Sequence, residues 1–310
     1  MDSLHIVTFT PQSHGQELDV SDKDSFEPIA VALKSGKRTQ LNGTSVQMPN
    51  KNVVLSSSLP EGQTGTIYLN VPALICSNDK RVYPERGAYE MYRLFKSGVV
   101  EQGVGVSYCP PNHRRDTFNF GQEDDQRMIS MLINEIAKKN PTAKIVPMGI
   151  CAGATGIMNT LAGSELSPQA QQNIDAVILQ SPAISSDQVW QDMGSSYLPY
   201  GLKWLFPVIA PFYFAKCKAS KPQKDVLDSY KNIPPHISFM IGKLAQDWVT
   251  PTASVRAVEE TLITNNHAVT VFESSDVSIK HGFLARNKEY QVRIKQFLVQ
   301  RKLDHAAASS

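Results

Sequence analysis

The amino-acid sequence predicts an α/β protein whose central sheet is mostly parallel and flanked by helices. Short apolar runs rich in β-branched residues alternate with longer runs of helical periodicity, which is typical of strands joined by helical crossovers. The apolar run 144–148 leads into residues 149–153, a pentapeptide of the form G-x-C-x-G, and small residues of helical character follow. This order predicts a tight strand-turn-helix junction centred on Cys151.

The other elements follow from the same two periodicities. Residues 45–48 and 52–55 are predicted to be antiparallel entry strands, and residues 66–70 the first inner strand. A long amphipathic helix is predicted at 123–138, and its apolar face consists of Met128, Ile129, Leu132, Ile133 and Ile136. Further along the chain we predict a helix at 88–95, strands at 104–108, 176–180, 236–242 and 269–272, and a helix at 253–262.

Pro147 lies within the predicted central strand. Proline has no N–H to donate, so it removes one hydrogen bond from the ladder and occurs in sheets at edges and bulges. We therefore predict that the central strand is bulged at this residue.

The chain is predicted to form one core interrupted by an insertion. Its first residues are mostly polar, and the pattern of short strands begins only near residue 45. The predicted divisions are an N-terminal extension whose order the sequence does not define (1–42), the first part of the core (43–184), an apolar cap insertion (185–232), the second part of the core (233–302) and a C-terminal tail (303–310).

Residues 197–214, inside the predicted cap, form the most apolar and aromatic stretch of the chain. Three prolines and Lys203 argue against a membrane span, because each proline would interrupt the hydrogen-bond ladder of a helix. We interpret the stretch as a lid over Cys151, which favours a substrate with an acyl chain or an aromatic group. Two other interpretations stay open: these residues close the core over the sheet, or they dock transiently on a membrane surface.

Composition narrows the class of protein. The 310 residues are 41% hydrophobic and 19% charged, with a formal net charge of +2. The sequence shows no dense group of Lys and Arg, so we expect no nucleic acid as a partner. No phosphate-binding loop, dinucleotide motif or zinc-ligand spacing occurs, so we expect no cofactor and no metal. The four cysteines, at 76, 109, 151 and 217, include no C-x-x-C pair. Together with the lack of a secretory leader at residue 1, this predicts a reduced, cytoplasmic location.

Two polar residues follow late predicted strands. Asp247 comes after the strand at 236–242, and His281 comes after the strand at 269–272. The chain order is thus thiol, carboxylate, imidazole, and the gaps leave room for a cap and then for one helix-strand unit. A thiol, a carboxylate and an imidazole are the side chains that nucleophilic acyl transfer combines as nucleophile, orienting group and base.

Other residues compete for the same roles. Asp276 lies in the same loop as His281 and is an alternative orienting carboxylate. His236 begins a predicted strand and His267 precedes one, so both are better explained as strand-end histidines. The thiols at 76, 109 and 217 are interpreted as structural.

At these residues the chain resembles the α/β-hydrolase superfamily. The matching pieces are the G-x-C-x-G elbow, Asp247 with the following Thr250-Pro251, and His281 with the following Gly282-Phe283. The resemblance covers roughly residues 43–300, and the Cys-Asp-His combination is similar to the thiol variant found in dienelactone hydrolases. It implies that His281 takes the thiol proton, that Cys151 attacks a carbonyl, and that Asp247 orients the imidazolium before water hydrolyses the acyl-enzyme.

The resemblance also implies an oxyanion hole of two backbone N–H groups. The first belongs to Ala152, directly after the nucleophile, and the second to the loop that follows Asn70. In that loop Pro72 has no N–H, so one arm of the hole is missing if Pro72 occupies the donor position. A shift of register would instead offer Ala73 or Leu74, and of these we expect Ala73 to supply the second donor.

The expected function is therefore hydrolysis of an ester, a thioester or a related small-molecule acyl substrate. Two alternatives remain from the sequence. The scaffold has lost catalysis and binds a partner through its aromatic cap, or an alcohol or amine replaces water and the protein is an acyltransferase. A catalytic Cys151 should react faster with alkylating reagents than the other thiols do. The oligomeric state is not predicted.

Overall fold

The structure is a computed structural model, and it describes much of the predicted core. The described residues are 2–4, 6–9, 45–48, 51–55, 59–71, 90–91, 93–95, 97–100, 102–106, 123–184, 223–247, 249–250, 252–279 and 281–308. The strands are β1 (Asp2–Leu4), β2 (Ile6–Phe9), β3 (Ser45–Met48), β4 (Lys51–Leu55), β5 (Thr66–Val71), β6 (Gly103–Val106), β7 (Lys144–Ile150), β8 (Ala176–Gln180), β9 (Ser238–Leu244) and β10 (Val269–Ser274). The α-helices are α1 (Glu123–Lys139), α2 (Ala152–Ala162), α3 (Pro168–Gln172), α4 (Gln223–Ser229), α5 (Thr252–Thr264) and α6 (Lys288–Ala308), and short 3-10 helices span Tyr230–Asn232 and Leu284–Arg286.

The main sheet has seven strands in the order β10-β9-β8-β7-β5-β6-β2. Strands β5 to β10 are all parallel, and only β2, at one edge, is antiparallel to its neighbour. The predicted mostly parallel α/β sheet is confirmed. Because parallel strands end at the same edge of a sheet, the segments that follow β5, β7, β8, β9 and β10 all begin on one side of the molecule.

The entry strands differ from the prediction. Strands β3 and β4 are antiparallel, as expected, but they join β1 in a separate three-stranded sheet. The antiparallel edge of the main sheet is instead β2, which lies inside the predicted N-terminal extension and pairs with β6. Local alternation identifies a strand but not its neighbour, because the pairing is decided by contacts between distant segments.

Helices cover both faces of the sheet. On one face, the predicted apolar side of α1 is buried, with Ile129, Leu132 and Ile133 fully so, and it packs in one cluster with α2 and α5. On the other face, α6 and the helical residues 90–95 form a second cluster. Along β5 the side chains alternate between these two clusters. The central strands are therefore buried on both sides, which explains their continuous apolar sequences.

The irregularity predicted at Pro147 lies in the neighbouring segment, and the central strand itself is not bulged. Strand β7 stays in continuous register with β5 through Pro147. On its other side Ile145 pairs with Ile174, whereas Met148 pairs with Ile178, so the partner segment advances by one additional residue. The Ile145 N–H donates to Asn173 O of this neighbouring segment. Pro147 lies two residues further along β7, so its backbone faces the same neighbour. The bulge thus removes the ladder position at which proline would lack a donor.

Two predicted boundaries shift. The last part of the predicted cap belongs to the core, since Val226 and Tyr230 are buried in the cluster that contains α2. Residues 185–222, which hold the rest of the predicted cap, lie outside the described residues. Helix α6 extends to Ala308, through most of the predicted C-terminal tail. Among the helices that the structure describes, none has the length and apolar character needed to cross a membrane.

The junction between β7 and α2 requires glycine at position 149. A Cβ atom added to Gly149 would lie 2.5 Å from Ala154 Cα and 2.6 Å from Ala154 N. Both are backbone atoms of the first turn of α2, so relief would require the whole helix to move. The first glycine of the pentapeptide therefore allows strand and helix to meet at a sharp turn.

We expect Gly149→Ala to lower the free energy of unfolding by about 3 kcal/mol, because it overpacks a rigid backbone contact. Urea-induced unfolding measures this loss. The matched control is Gly98→Ala, a position with φ +63° and no neighbouring atom within 4 Å of an added Cβ. There only the left-handed backbone opposes alanine, at about 1–2 kcal/mol. Equal losses in the two variants would contradict the close approach of α2 to β7.

Candidate active site

Cys151 occupies the turn between β7 and α2 in a strained conformation. Its φ of 50° and ψ of −116° lie in a region that residues with a side chain rarely adopt. Two backbone hydrogen bonds hold the turn: Cys151 N–H donates to Gln180 O at 2.9 Å, and Thr155 N–H donates to Cys151 O at 3.1 Å. The residue is fully buried. Neighbouring elements thus keep the thiol in one position, which is the arrangement of a nucleophile elbow.

Asp247 lies in the loop after β9, and several donors surround its carboxylate. Val249 N–H and Thr250 N–H donate to Oδ1 at 2.9 and 3.1 Å. The Ser181 hydroxyl donates to Oδ2 at 2.8 Å. The Asp247 side chain is only 1% exposed. A carboxylate at this depth is stable in its charged form only because these donors replace water.

His281 meets this carboxylate. Its Nδ1–H donates to Asp247 Oδ2 at 2.8 Å and to Oδ1 at 3.0 Å. The chain turns sharply directly after the imidazole, with Gly282 at φ 75°, and then enters the 3-10 helix Leu284–Arg286. The structure therefore brings together the carboxylate after β9 and the imidazole after β10, and it fixes the ring through Nδ1.

The thiol of Cys151 is a neighbour of the same ring. Burial opposes the charge on His281, but the charge and hydrogen bond of Cys151, together with Asp247, more than offset burial and raise the pKa of His281 to about 9. Burial likewise raises the pKa of Asp247, whereas its hydrogen bonds to His281, Thr250 and Ser181 hold the pKa below the usual value. The favoured charge state of this pair is therefore an imidazolium on His281 beside the carboxylate of Asp247.

The Thr250 hydroxyl also lies beside the Cys151 thiol. Its Oγ1 is 4.0 Å from Cys151 Sγ, and the residue is buried. Because Thr250 N–H holds Asp247, this one residue contacts both the carboxylate and the thiol. The sequence identifies Thr250 only as part of a motif, because a hydroxyl three residues after an acid has no distinctive pattern of its own.

Both predicted oxyanion donors stay predictions. Ala152 is the first residue of α2, where a backbone N–H has no acceptor within the helix. Ala73 lies outside the described residues, as do Pro72 and Leu74. Strand β5 ends at Val71, which is paired with Gly149 of β7. The loop that follows β5 therefore starts next to the elbow, and its donor stays a prediction.

The competing residues lie in other environments. Asp276 is exposed and accepts hydrogen bonds from the backbone and hydroxyl of Ser278. His267 is buried against Phe239 and bonded to Ile237 O through Nδ1, and burial lowers its pKa. His236 contacts the carbonyl of Ile174. The thiols at 76, 109 and 217 lie outside the described residues.

Gln180, the last residue of β8, and Ser181, directly after it, also contact the site, although the sequence did not single them out. Their position directly after a strand of the predicted parallel sheet was the available signal, because such positions share one edge with the elbow. Within the described part of the chain, no group of three or more His, Cys, Asp or Glu side chains is placed to hold a metal ion.

Comparisons with known proteins identify the fold. No protein-family model and no curated protein matches the sequence. Among solved structures, the esterase Pf2001 of Pyrococcus furiosus is 13% identical, covers 84% of this chain and 92% of its own, and has a TM-score of 0.55.

Two further structures are similar. A lipase/esterase of Lactobacillus plantarum is 10% identical and covers 86% of this chain and 99% of its own, with a TM-score of 0.51. The peroxisomal α/β-hydrolase Lpx1 of Saccharomyces cerevisiae is 10% identical and covers 85% and 89%, with a TM-score of 0.53. At sequence identities this low, the similarity concerns the architecture and does not extend to the roles of individual residues. The chain thus adopts the α/β-hydrolase fold.

Proposed function

We propose that this protein is a hydrolase of carboxylic esters or thioesters, with Cys151 as nucleophile, His281 as the proton-transfer group and Asp247 as the orienting carboxylate. The observation that carries the proposal is the buried 2.8 Å contact between His281 Nδ1 and Asp247 Oδ2, with the Cys151 thiol next to the same ring. Likeness to the esterase and the lipase/esterase supports ester hydrolysis as the reaction class.

The first half of the reaction forms an acyl-enzyme. The thiol proton resides on His281, and the Cys151 sulfur attacks the carbonyl carbon, while the carbonyl π electrons move to oxygen. The N–H of Ala152 donates to that oxyanion, and a second N–H from the loop after β5 completes the hole. When the tetrahedral intermediate collapses, the bond to the leaving group breaks and His281 protonates the departing alcohol or thiol.

The second half releases the acid. Neutral His281 now takes a proton from water, and the hydroxide formed attacks the thioester carbonyl of the acyl-enzyme. Collapse breaks the carbon–sulfur bond and frees the carboxylic acid, and the proton taken from water replaces the original thiol proton on the Cys151–His281 pair. Asp247 remains ionised throughout and keeps the imidazole oriented through Nδ1.

The substrate class rests on the sequence of the proposed cap. The aromatic and apolar stretch 197–214 favours an acyl chain or an aromatic group beside the scissile carbonyl. A small-molecule acyl ester with such an apolar part is therefore the substrate that we propose.

We expect Cys151→Ala and His281→Ala each to lower kcat by about 10⁴-fold or more on a chain-length series of p-nitrophenyl esters and acyl thioesters. Initial rates from purified variants measure this loss, and circular dichroism checks that each variant is folded. Cys151→Ser keeps a nucleophile and should retain part of the activity. Wild-type activity that survives Cys151→Ala would rule out the thiol mechanism, and no wild-type turnover would favour a binding scaffold.

Asp247→Asn is expected to lower kcat by about 10³- to 10⁴-fold, because the amide cannot stabilise the imidazolium or fix its tautomer. The matched control is Asp276→Asn, which changes the exposed carboxylate that precedes His281 in the same loop. This control should leave kcat within about twofold of wild type, since surface substitutions are usually near neutral. A large loss in Asp276→Asn alone would reverse the assignment of the acid.

The pH dependence tests the charge state of His281. Because its pKa is raised to about 9, the ring is protonated below that pH and neutral above it. An alkyl ester leaves as an alkoxide that needs a proton, so kcat/KM for an ethyl ester should fall as the pH rises through about 9. A pH-stat assay corrected for spontaneous hydrolysis measures the profile.

Cys151→Ser provides the contrast for this profile. A hydroxyl nucleophile needs neutral His281 as its base, and loss of the thiol removes part of what raises the pKa of that ring. The rate of the serine variant should therefore rise with pH, over a range that lies below the wild-type fall. A wild-type rate that also rises through pH 9 would argue against an imidazolium in the resting enzyme.

A further inference from the structure

Gln180 ends strand β8 and Ser181 follows it, and together these two residues contact all three segments of the proposed site. The backbone carbonyl of Gln180 accepts the N–H of Cys151 at 2.9 Å. With its amide oriented so that oxygen meets donors, the Gln180 side chain accepts from Phe283 N–H at 3.1 Å and Leu284 N–H at 2.9 Å. Gln180 thus connects the turn of the nucleophile with the loop directly after His281.

Ser181 connects the third segment. Its hydroxyl donates to Asp247 Oδ2 at 2.8 Å, and its backbone N–H donates to Gly242 O of β9 at 2.7 Å. Ser181 is fully buried, and its φ of 44° lies in the left-handed region that favours glycine. Such a backbone persists only where the surrounding structure holds it, and here it is held on both sides by strand hydrogen bonds.

The two oxygens of Asp247 are held in different ways. Oδ1 accepts from the backbone of its own loop, through Val249 and Thr250. Oδ2, the oxygen nearer to His281 Nδ1, has Ser181 as its hydroxyl donor, from a different strand. A single pair of loop N–H groups fixes one oxygen but leaves the carboxylate free to rotate about its Cβ–Cγ bond. A second anchor on Oδ2 removes that freedom.

We propose that Ser181 is a positioning residue whose hydroxyl holds Asp247 Oδ2 in line with His281 Nδ1. The inference rests on the proposed hydrolase function and deepens it, because it identifies what orients the carboxylate. With this left-handed backbone, Ser181 donates its N–H to β9 while its side chain reaches the loop that follows β9. The same hydrogen bond keeps the pKa of Asp247 low, so that the carboxylate stays charged beside the imidazolium.

Two substitutions separate orientation from backbone strain. Ser181→Ala removes the hydroxyl and keeps the unfavourable φ, whereas Ser181→Gly removes the hydroxyl and relieves it. If the hydroxyl orients Asp247, both variants should lower kcat by about 10- to 100-fold with KM within about twofold of wild type. Ser278→Ala is the matched control, since it removes an exposed serine–aspartate hydrogen bond away from the site and should leave kcat unchanged.

A spectroscopic readout does not depend on catalysis. The downfield proton resonance of His281 Nδ1–H, assigned by its loss in His281→Gln, reports the hydrogen bond to Asp247. It should shift or broaden in Ser181→Gly and Ser181→Ala and stay in place in Ser278→Ala.

The outcomes distinguish this inference from the proposed function. Turnover by wild type, with full kcat and an unmoved resonance in Ser181→Gly, would overturn the positioning role and leave the hydrolase proposal intact. No turnover by wild type, with a resonance that moves in both Ser181 variants, would overturn the hydrolase proposal and support the orienting hydrogen bond.

Discussion

The buried carboxylate of Asp247 is the constraint on which the candidate site depends. A charge taken out of water must be surrounded by donors, and here they come from its own loop, from the residue after β8 and from the imidazole after β10. Satisfying one side chain therefore joins three segments that are far apart in sequence. The parallel sheet makes this feasible, because it brings the ends of these strands to one edge.

The centre of the sheet shows how local strain is accommodated. Cys151 adopts a backbone conformation that favours glycine, and Gly149 gives up a side chain so that α2 can begin next to β7. Pro147, two residues earlier, lacks a donor at a point where the neighbouring segment bulges. These departures from ideal geometry lie within five residues, and the fully buried strands and helices around them hold the elbow in place.

The electrostatics of the site follow from its burial. An imidazole buried alone would lose its proton more readily, yet the pKa of His281 is raised because a thiol and a carboxylate lie on either side of it. In the proposed mechanism that proton goes to the leaving group, and the neutral imidazole then takes a proton from the attacking water. Three similar structures with 10–13% identity share this architecture, so the fold tolerates nearly complete replacement of its sequence.

The sequence by itself determined the elements that depend on local pattern. The helical face of α1, the central strands and the tight turn at Cys151 follow from side-chain period and backbone chemistry, which depend on residues close together along the chain. Pro147 indicated an irregular ladder, but the structure put the extra residue in the neighbouring segment. Only the tertiary structure decided which segments meet. It placed β2 in the main sheet, extended the core into residues 223–232, brought Asp247 and not Asp276 to His281, and added Gln180 and Ser181. These contacts join residues far apart along the chain, and they form only when the sheet is assembled, so no local pattern encodes them.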